Sequence, residues 1–181
     1  MPKTIKKFIE TRQIIEKYHV LPFEETDSET LKLLSYFLHL APNIESEHSR
    51  KITRSAMNTA LNKITSSFED SDFQFIRANV QINKELEKVN IGDNFINLKK
   101  CAFVCKYKED EHRQILETDL ACLLRHIRNA IAHSHFHYKH LGNQIFLMFE
   151  DHSTCGKKNI SSRIILSRAE LARWKKILEN A

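Results

Sequence analysis

Helix breakers are scarce in this chain: 181 residues hold three glycines and three prolines. Folds dominated by hairpins and tight turns draw on both, so the shortage favours helices. No stretch approaches the ~20 apolar residues of a membrane span. The opening Met1-Pro2-Lys3-Thr4-Ile5-Lys6-Lys7 lacks the apolar run of a secretory signal, and the expected address is cytoplasmic. The four cysteines, Cys101, Cys105, Cys122 and Cys155, do not read as a disulfide frame, since a cytosolic chain of this length needs none. Cys101 and Cys105, four apart, read as small buried apolar groups.

No charge of one sign dominates either. The net charge is +5, and its distribution says more than its sum. Residues 1–100 carry 15 Lys and Arg against 14 Asp and Glu, while residues 101–181 carry 13 against 9 and hold seven of the ten histidines. That balance permits a polyanionic partner without requiring one. With 41% hydrophobic residues there is enough apolar surface for a core, and the length suits a single domain over 1–181.

Residues 4–19, with Ile5, Phe8, Ile9, Ile15 and Tyr18, predict a helix that breaks at Leu21-Pro22. Further helices are expected from Glu29 to Ala41, over 46–67, and over 72–89, where the Phe73/Phe75 alternation leaves a strand open. Asn90 to Asp93 reads as a connection, after which Phe95, Leu98, Ala102 and Cys105 keep helical period to about Tyr107. The longest helix is expected from Glu111 to Phe136, on a stripe of Leu116, Leu120, Leu123, Leu124, Ile127, Ile131 and Ser134, with Ile115 beside it. Gln144–Phe149 and Ile160–Leu166 predict a two-stranded hairpin over 144–166. Ser167-Arg168-Ala169-Glu170 is a capping-box signature for a last helix over 167–181. The expected fold class is mainly all-α, a helical bundle with a small β-hairpin after its longest helix. Residues 1–90 carry no assignable motif and supply the other helices.

Near the end of the longest helix stands Leu123-Leu124-Arg125-His126-Ile127-Arg128-Asn129-Ala130-Ile131-Ala132-His133. Arginine offers a planar, always charged fork that suits phosphate oxygens. Histidine moves protons near neutral pH. On a wheel of ~100° per residue, Cys122, His126, Asn129 and His133 share the side opposite the apolar stripe, and Arg128 lies roughly 140° from His133. The Arg128 stem must therefore wrap around the helix, or the last turn must loosen. His135, seven residues after Arg128, shares its face and competes with His133.

The string Arg128-Asn129-Ala130-Ile131-Ala132-His133 resembles the arginine-to-histidine motif of the HEPN superfamily, helical ribonucleases and RNA-binding modules of prokaryotic toxin and defence systems. The resemblance covers about residues 93–150 and favours His133, with His135 second. It implies a HEPN-like bundle and a metal-independent endoribonuclease acting on single-stranded or tRNA-like RNA as a toxin or phage-defence effector. Arg128 would stabilise phosphoryl charge. His133 would transfer protons between the 2′-OH and the leaving 5′-oxygen, and Asn129 would orient it. Because acid and base act on opposite sides of the phosphate, the resemblance implies a homodimer with facing motifs. The products would be a 2′,3′-cyclic phosphate and a 5′-OH, with no cofactor. Asp119 and His126 are auxiliary candidates, and Arg125, Lys157, Lys158 and Arg163 are candidate RNA contacts. Several family members carry a tyrosine two residues after the motif histidine, where an antitoxin attaches its inhibitory modification. Here that position is His135, a departure that puts this regulatory partner in doubt.

Two other readings compete. The same cationic segment suits a module that binds RNA or a nucleotide without cutting it. The cluster His126, His133, His135, His137 and His140 raises zinc, but His133-x-His135-x-His137 chelates poorly from one helix face, so no metal is expected.

Overall fold

The computed structural model describes residues 27–42, 52–77, 100–106, 117–152 and 160–181. The architecture is α+β, which corrects the mainly all-α expectation: the described residues include a five-stranded mixed sheet. Helix α1 (Ser28–Ser35) runs into a π-helical turn (Tyr36–Leu40), followed by α2 (Arg54–Thr65), β1 (Phe73–Arg77), β2 (Cys101–Lys106), α3 (Asp119–Ala132), β3 (Phe136–Leu141), β4 (Gln144–His152), β5 (Ile160–Ser167) and α4 (Arg168–Glu179). The strand order is β1-β2-β5-β4-β3. Strands β1 and β2 are parallel, and the other neighbours are antiparallel.

Three differences from the sequence reading produce the correction. The spacing of Ala102 and Cys105 predicts helix over Cys101–Lys106, yet this segment is a strand buried along nearly its whole length. A strand covered on both faces is apolar throughout, and its spacings imitate a helix over so short a run. Cys101, Phe103 and Cys105 line one face with Ile76, Met148 and Ile165, while Ala102 and Val104 enter the main core on the other. Next, the motif helix ends at Ala132, and Phe136 opens β3. Strands β3 and β4 meet through Gly142 and Asn143, with Leu141 opposite Gln144; Gly142 takes φ +55°, as the first position of a tight hairpin turn favours. Finally, β4 and β5, read as a separate hairpin, are inner strands of the sheet. The strand left open at Phe73/Phe75 is β1.

Each described α-helix begins with a side-chain cap. Asp27 accepts from Glu29 and Thr30, Thr53 from Ala56, Thr118 from Ala121 and Ser167 from Glu170. The Glu170 carboxylate accepts from Ser67 Oγ (2.6 Å), Trp174 Nε1 (3.0 Å) and Arg173, which joins α4 to the end of α2. Helix α3 is buried on most sides: Leu120 to Leu124, His126, Ile127, Ala130 and Ile131 are all enclosed. Leu34, Phe37, Ile64, Leu123, Ile127, Phe149, Ile164 and Trp174 belong to one core joining the helices to one face of the sheet. The helix expected over 4–19, the Asn90–Asp93 connection and the segment around Glu111 lie outside the described residues. No helix among the described residues is long and apolar enough to cross a membrane.

Candidate functional site

The end of α3 is a Schellman-type cap. His133 N–H donates to Asn129 O (2.9 Å), Ser134 N–H to Ile131 O (3.2 Å) and His135 N–H to Ala130 O (2.8 Å). Ser134 takes φ +57°, the left-handed conformation usually given to glycine at this position. This turn ends the helix and sends His135 into β3, where its carbonyl accepts from Glu150 N–H (3.0 Å). The motif histidines thus meet the end of β4, which reads Glu150-Asp151-His152. Alternate strand residues face opposite sides of a sheet, so the two carboxylates serve different neighbours.

On the helix side, Asp151 is buried and its Oδ2 lies 2.7 Å from His126 Nδ1. Asn129 Nδ2 donates to the same oxygen at 3.1 Å, and His152 N–H donates to Oδ1 at 2.9 Å. Burial alone would push the Asp151 carboxyl up; these hydrogen bonds outweigh it and hold the group below its ordinary value. The other ring nitrogen of His126, Nε2, lies 2.9 Å from the carbonyl oxygen of Cys105. Both partners are oxygens, so each ring nitrogen of His126 faces an acceptor. The group ties α3 to β2 and β4. With His126 only 1% exposed, it is closed to a large substrate.

On the other side, Glu150 is buried and accepts from Arg163 Nε at 2.8 Å. His152 Nε2 stands 4.0 Å from Glu150 Oε2. The His152 ring meets the His135 ring edge to face, 4.3 Å between centroids, and the His133 ring lies 6.2 Å from that of His135. His133 is exposed, and His135 and His152 are half-buried. Burial, then the neighbouring His152 and His133 rings, lower the pKa of His135 below 6.5 against the pull of Glu150 and Asp151. Its Nδ1 is enclosed and finds no hydrogen-bond partner among the described residues. No acceptor at that nitrogen stabilises an imidazolium, in keeping with the lowered value.

The remaining expected residues disperse. Arg128 donates from Nε to Leu38 O (3.2 Å) and from Nη2 to Ala41 O (3.4 Å), satisfying carbonyls where the π-helical turn ends. Asp119 pairs with Lys106 at 2.5 Å in the first turn of α3, about 20 Å along the helix from His133. Arg125 makes a two-pronged contact with Glu117 at 2.8 and 3.1 Å. Arg163 is 5% exposed and faces Glu150 instead of lining a surface groove. Lys157, Lys158 and Cys155 lie outside the described residues. Cys101, Cys105 and Cys122 are buried free thiols, and burial pushes Cys105 and Cys122 up to about 12, far from a reactive thiolate. Among the described residues no three His, Cys, Asp or Glu side chains converge as metal ligands. Sequence reasoning missed Glu150, Asp151 and His152. The available signal was two acids and a histidine in succession at the end of an apolar strand.

Compared with family models, curated proteins and solved structures, the chain finds no match in any of the three. The functional reading therefore rests on the site itself.

Proposed function

We propose that the chain is a metal-independent endoribonuclease whose proton transfers are made by imidazoles at the end of α3. One observation carries this reading: His133, His135 and His152 gather on the accessible side of the α3 cap, and His135 is held neutral. A neutral imidazole can take the proton of a ribose 2′-OH, a role typically worth ~10²–10⁴ in rate. The exposed His133 is available to a phosphate. Asn129, fixed by Asp151, steadies the last turn of α3. Arg128 anchors the π-helical turn in this reading, and its contact with phosphate would require those carbonyl bonds to open. That engagement favours, as a second reading, a module that holds RNA without cutting it.

The test is incubation of the purified protein with total tRNA and a long single-stranded RNA in excess EDTA, beside His133→Ala and His135→Ala. Cleavage by the wild type leaving 2′,3′-cyclic phosphate ends, with His135→Ala slowed about 100-fold or more, is the expected result. RNA retained and left intact by the wild type would establish the binding module instead.

A further inference from the structure

We propose that His152 is the catalytic acid of this site, paired with His135 inside one chain, so that a single protomer carries both proton-transfer groups. The inference rests on the ribonuclease reading. It also departs from the shared-site homodimer implied by the motif, because the second imidazole comes from β4 of the same chain.

Three features set His152 apart. The register of β4 against β5 slips between Asp151 and His152: Asp151 faces Ser162, and His152 faces Ile160. The extra residue, Ser161, belongs to β5, so β4 keeps its alternation and His152 stays on the side of Glu150; such irregularities recur beside active sites. The bulge accompanies a His152 ring in contact with His135, 4.3 Å between centroids. The two rings also differ in their support for charge. His152 Nε2 has the Glu150 carboxylate 4.0 Å away, whereas His135 has an enclosed Nδ1 with no acceptor among the described residues. Two imidazoles in contact do not readily both carry charge. The carboxylate beside His152 suits that ring to the acid's role and leaves His135 as the base. Arg163 lies behind Glu150 and fixes its carboxylate, and Asp151 is occupied by His126 and Asn129.

The step balances without metal or redox partner, and it requires the rings to part from their 4.3 Å contact so that base and acid stand on the two sides of the phosphate. His135, with its own hydrogen on Nδ1, takes the 2′-OH proton at Nε2 as the O2′–P bond forms. The P–O5′ bond breaks, and His152 gives its proton to the departing O5′. Proton return from His135 to His152, directly or through water, resets the pair.

The experiment compares His152→Ala, His152→Gln and His135→Ala on RNA and on uridine 3′-(4-nitrophenyl phosphate), whose leaving group departs without a proton. On RNA all three variants are expected to fall about 100-fold or more. On the activated ester both His152 variants should stay within about threefold of wild type, and His135→Ala should remain slow. A 1:1 mixture of His135→Ala and His152→Ala should recover nothing. His152 variants equally slow on both substrates would make the residue structural and overturn the proposal. Recovery of about a quarter of the activity in the mixture would show a site shared between copies, and would also overturn it. A wild type that cleaves neither substrate overturns the ribonuclease reading itself, whereas unchanged RNA cleavage by His152→Ala overturns the acid assignment alone.

Discussion

Two histidine-carboxylate groups flank the end of β4, built from neighbouring residues. His126 and Asp151 on the helix side are buried, and each ring nitrogen of His126 faces an acceptor. His135 and His152 on the other side are half-buried, touch one another, and leave an enclosed nitrogen of His135 unpaired among the described residues. The same side chain thus serves opposite ends. Where its hydrogen bonds are complete and water is excluded, histidine behaves as a structural cross-link. Where they are incomplete and water has access, its proton is free to move. The helical wheel put His126, Asn129 and His133 on one polar side, yet burial divides them. Proximity to the motif is therefore a poorer guide to chemistry than the satisfaction of each ring.

The largest expected effect breaks the structural member of this comparison. His126→Ala leaves a buried carboxylate and the Cys105 carbonyl without their main donor, and should destabilise the fold by about 3–5 kcal/mol. Urea unfolding measures it. His135→Ala should change stability by no more than about 0.5 kcal/mol while removing cleavage. Equal stability losses in the two variants would erase the distinction between the groups.

Arg128 sharpens the same contrast, because the arginine of the motif falls on the structural side. Its guanidinium donates to the Leu38 and Ala41 carbonyls, and charged hydrogen bonds of this kind contribute about 1.5–3 kcal/mol. Arg128→Gln should lower stability toward the smaller end of that range. An unchanged unfolding midpoint together with lost RNA affinity would return Arg128 to phosphate binding.

The sequence made parts of this legible and hid others for physical reasons. The helix from Glu29 to Ala41, the strands near 144–149 and 160–166, and the Ser167 cap were readable from apolar period and capping chemistry. Strand β2 was not, since Cys101 to Cys105 is buried on both faces and carries no alternation. Strand β3 was hidden by its neighbour: Ser134 makes the left-handed turn that glycine would have advertised, so helical period ran on to Phe136. Gly142-Asn143 between Leu141 and Gln144 was the missed hairpin signal. His133 and His135 were legible as candidates from the motif. His152 was not, because its approach to His135 depends on the pairing of β3 with β4, which no local spacing encodes.

Acidity separates the two groups in solution as well. The pKa of His135 is lowered in the folded chain, so the unfolded chain binds its proton more readily and stability rises with pH up to about the ordinary 6.5. That contribution is present above 6.5 and is lost as pH falls through the depressed folded value. Asp151 is also depressed, but from 3.8. Its contribution is present above that value and disappears as pH falls through the lower folded pKa. Unfolding midpoints across pH should therefore show two windows. His135→Gln should flatten the upper one and leave the lower intact. An upper slope that survives this substitution would assign it to another histidine.

The smallest expected effect concerns the hinge between the two groups. Ser134 sits at φ +57°, where a side chain strains the backbone by roughly 1–2 kcal/mol and glycine does not. Glycine also has more unfolded freedom to lose, which offsets roughly 0.5–1 kcal/mol of that relief. Ser134→Gly should thus stabilise by at most about 1.5 kcal/mol, a rise in Tm of no more than roughly 3–6 °C. The cap bonds from Ser134 and His135 to Ile131 and Ala130 use backbone atoms and survive the change. Cleavage should then be unaltered if the turn only carries His135 out of the helix toward His152. Greater stability with slower cleavage would instead mean that the stiffness of serine at this turn holds the two imidazoles in contact, making the backbone of the hinge part of the site.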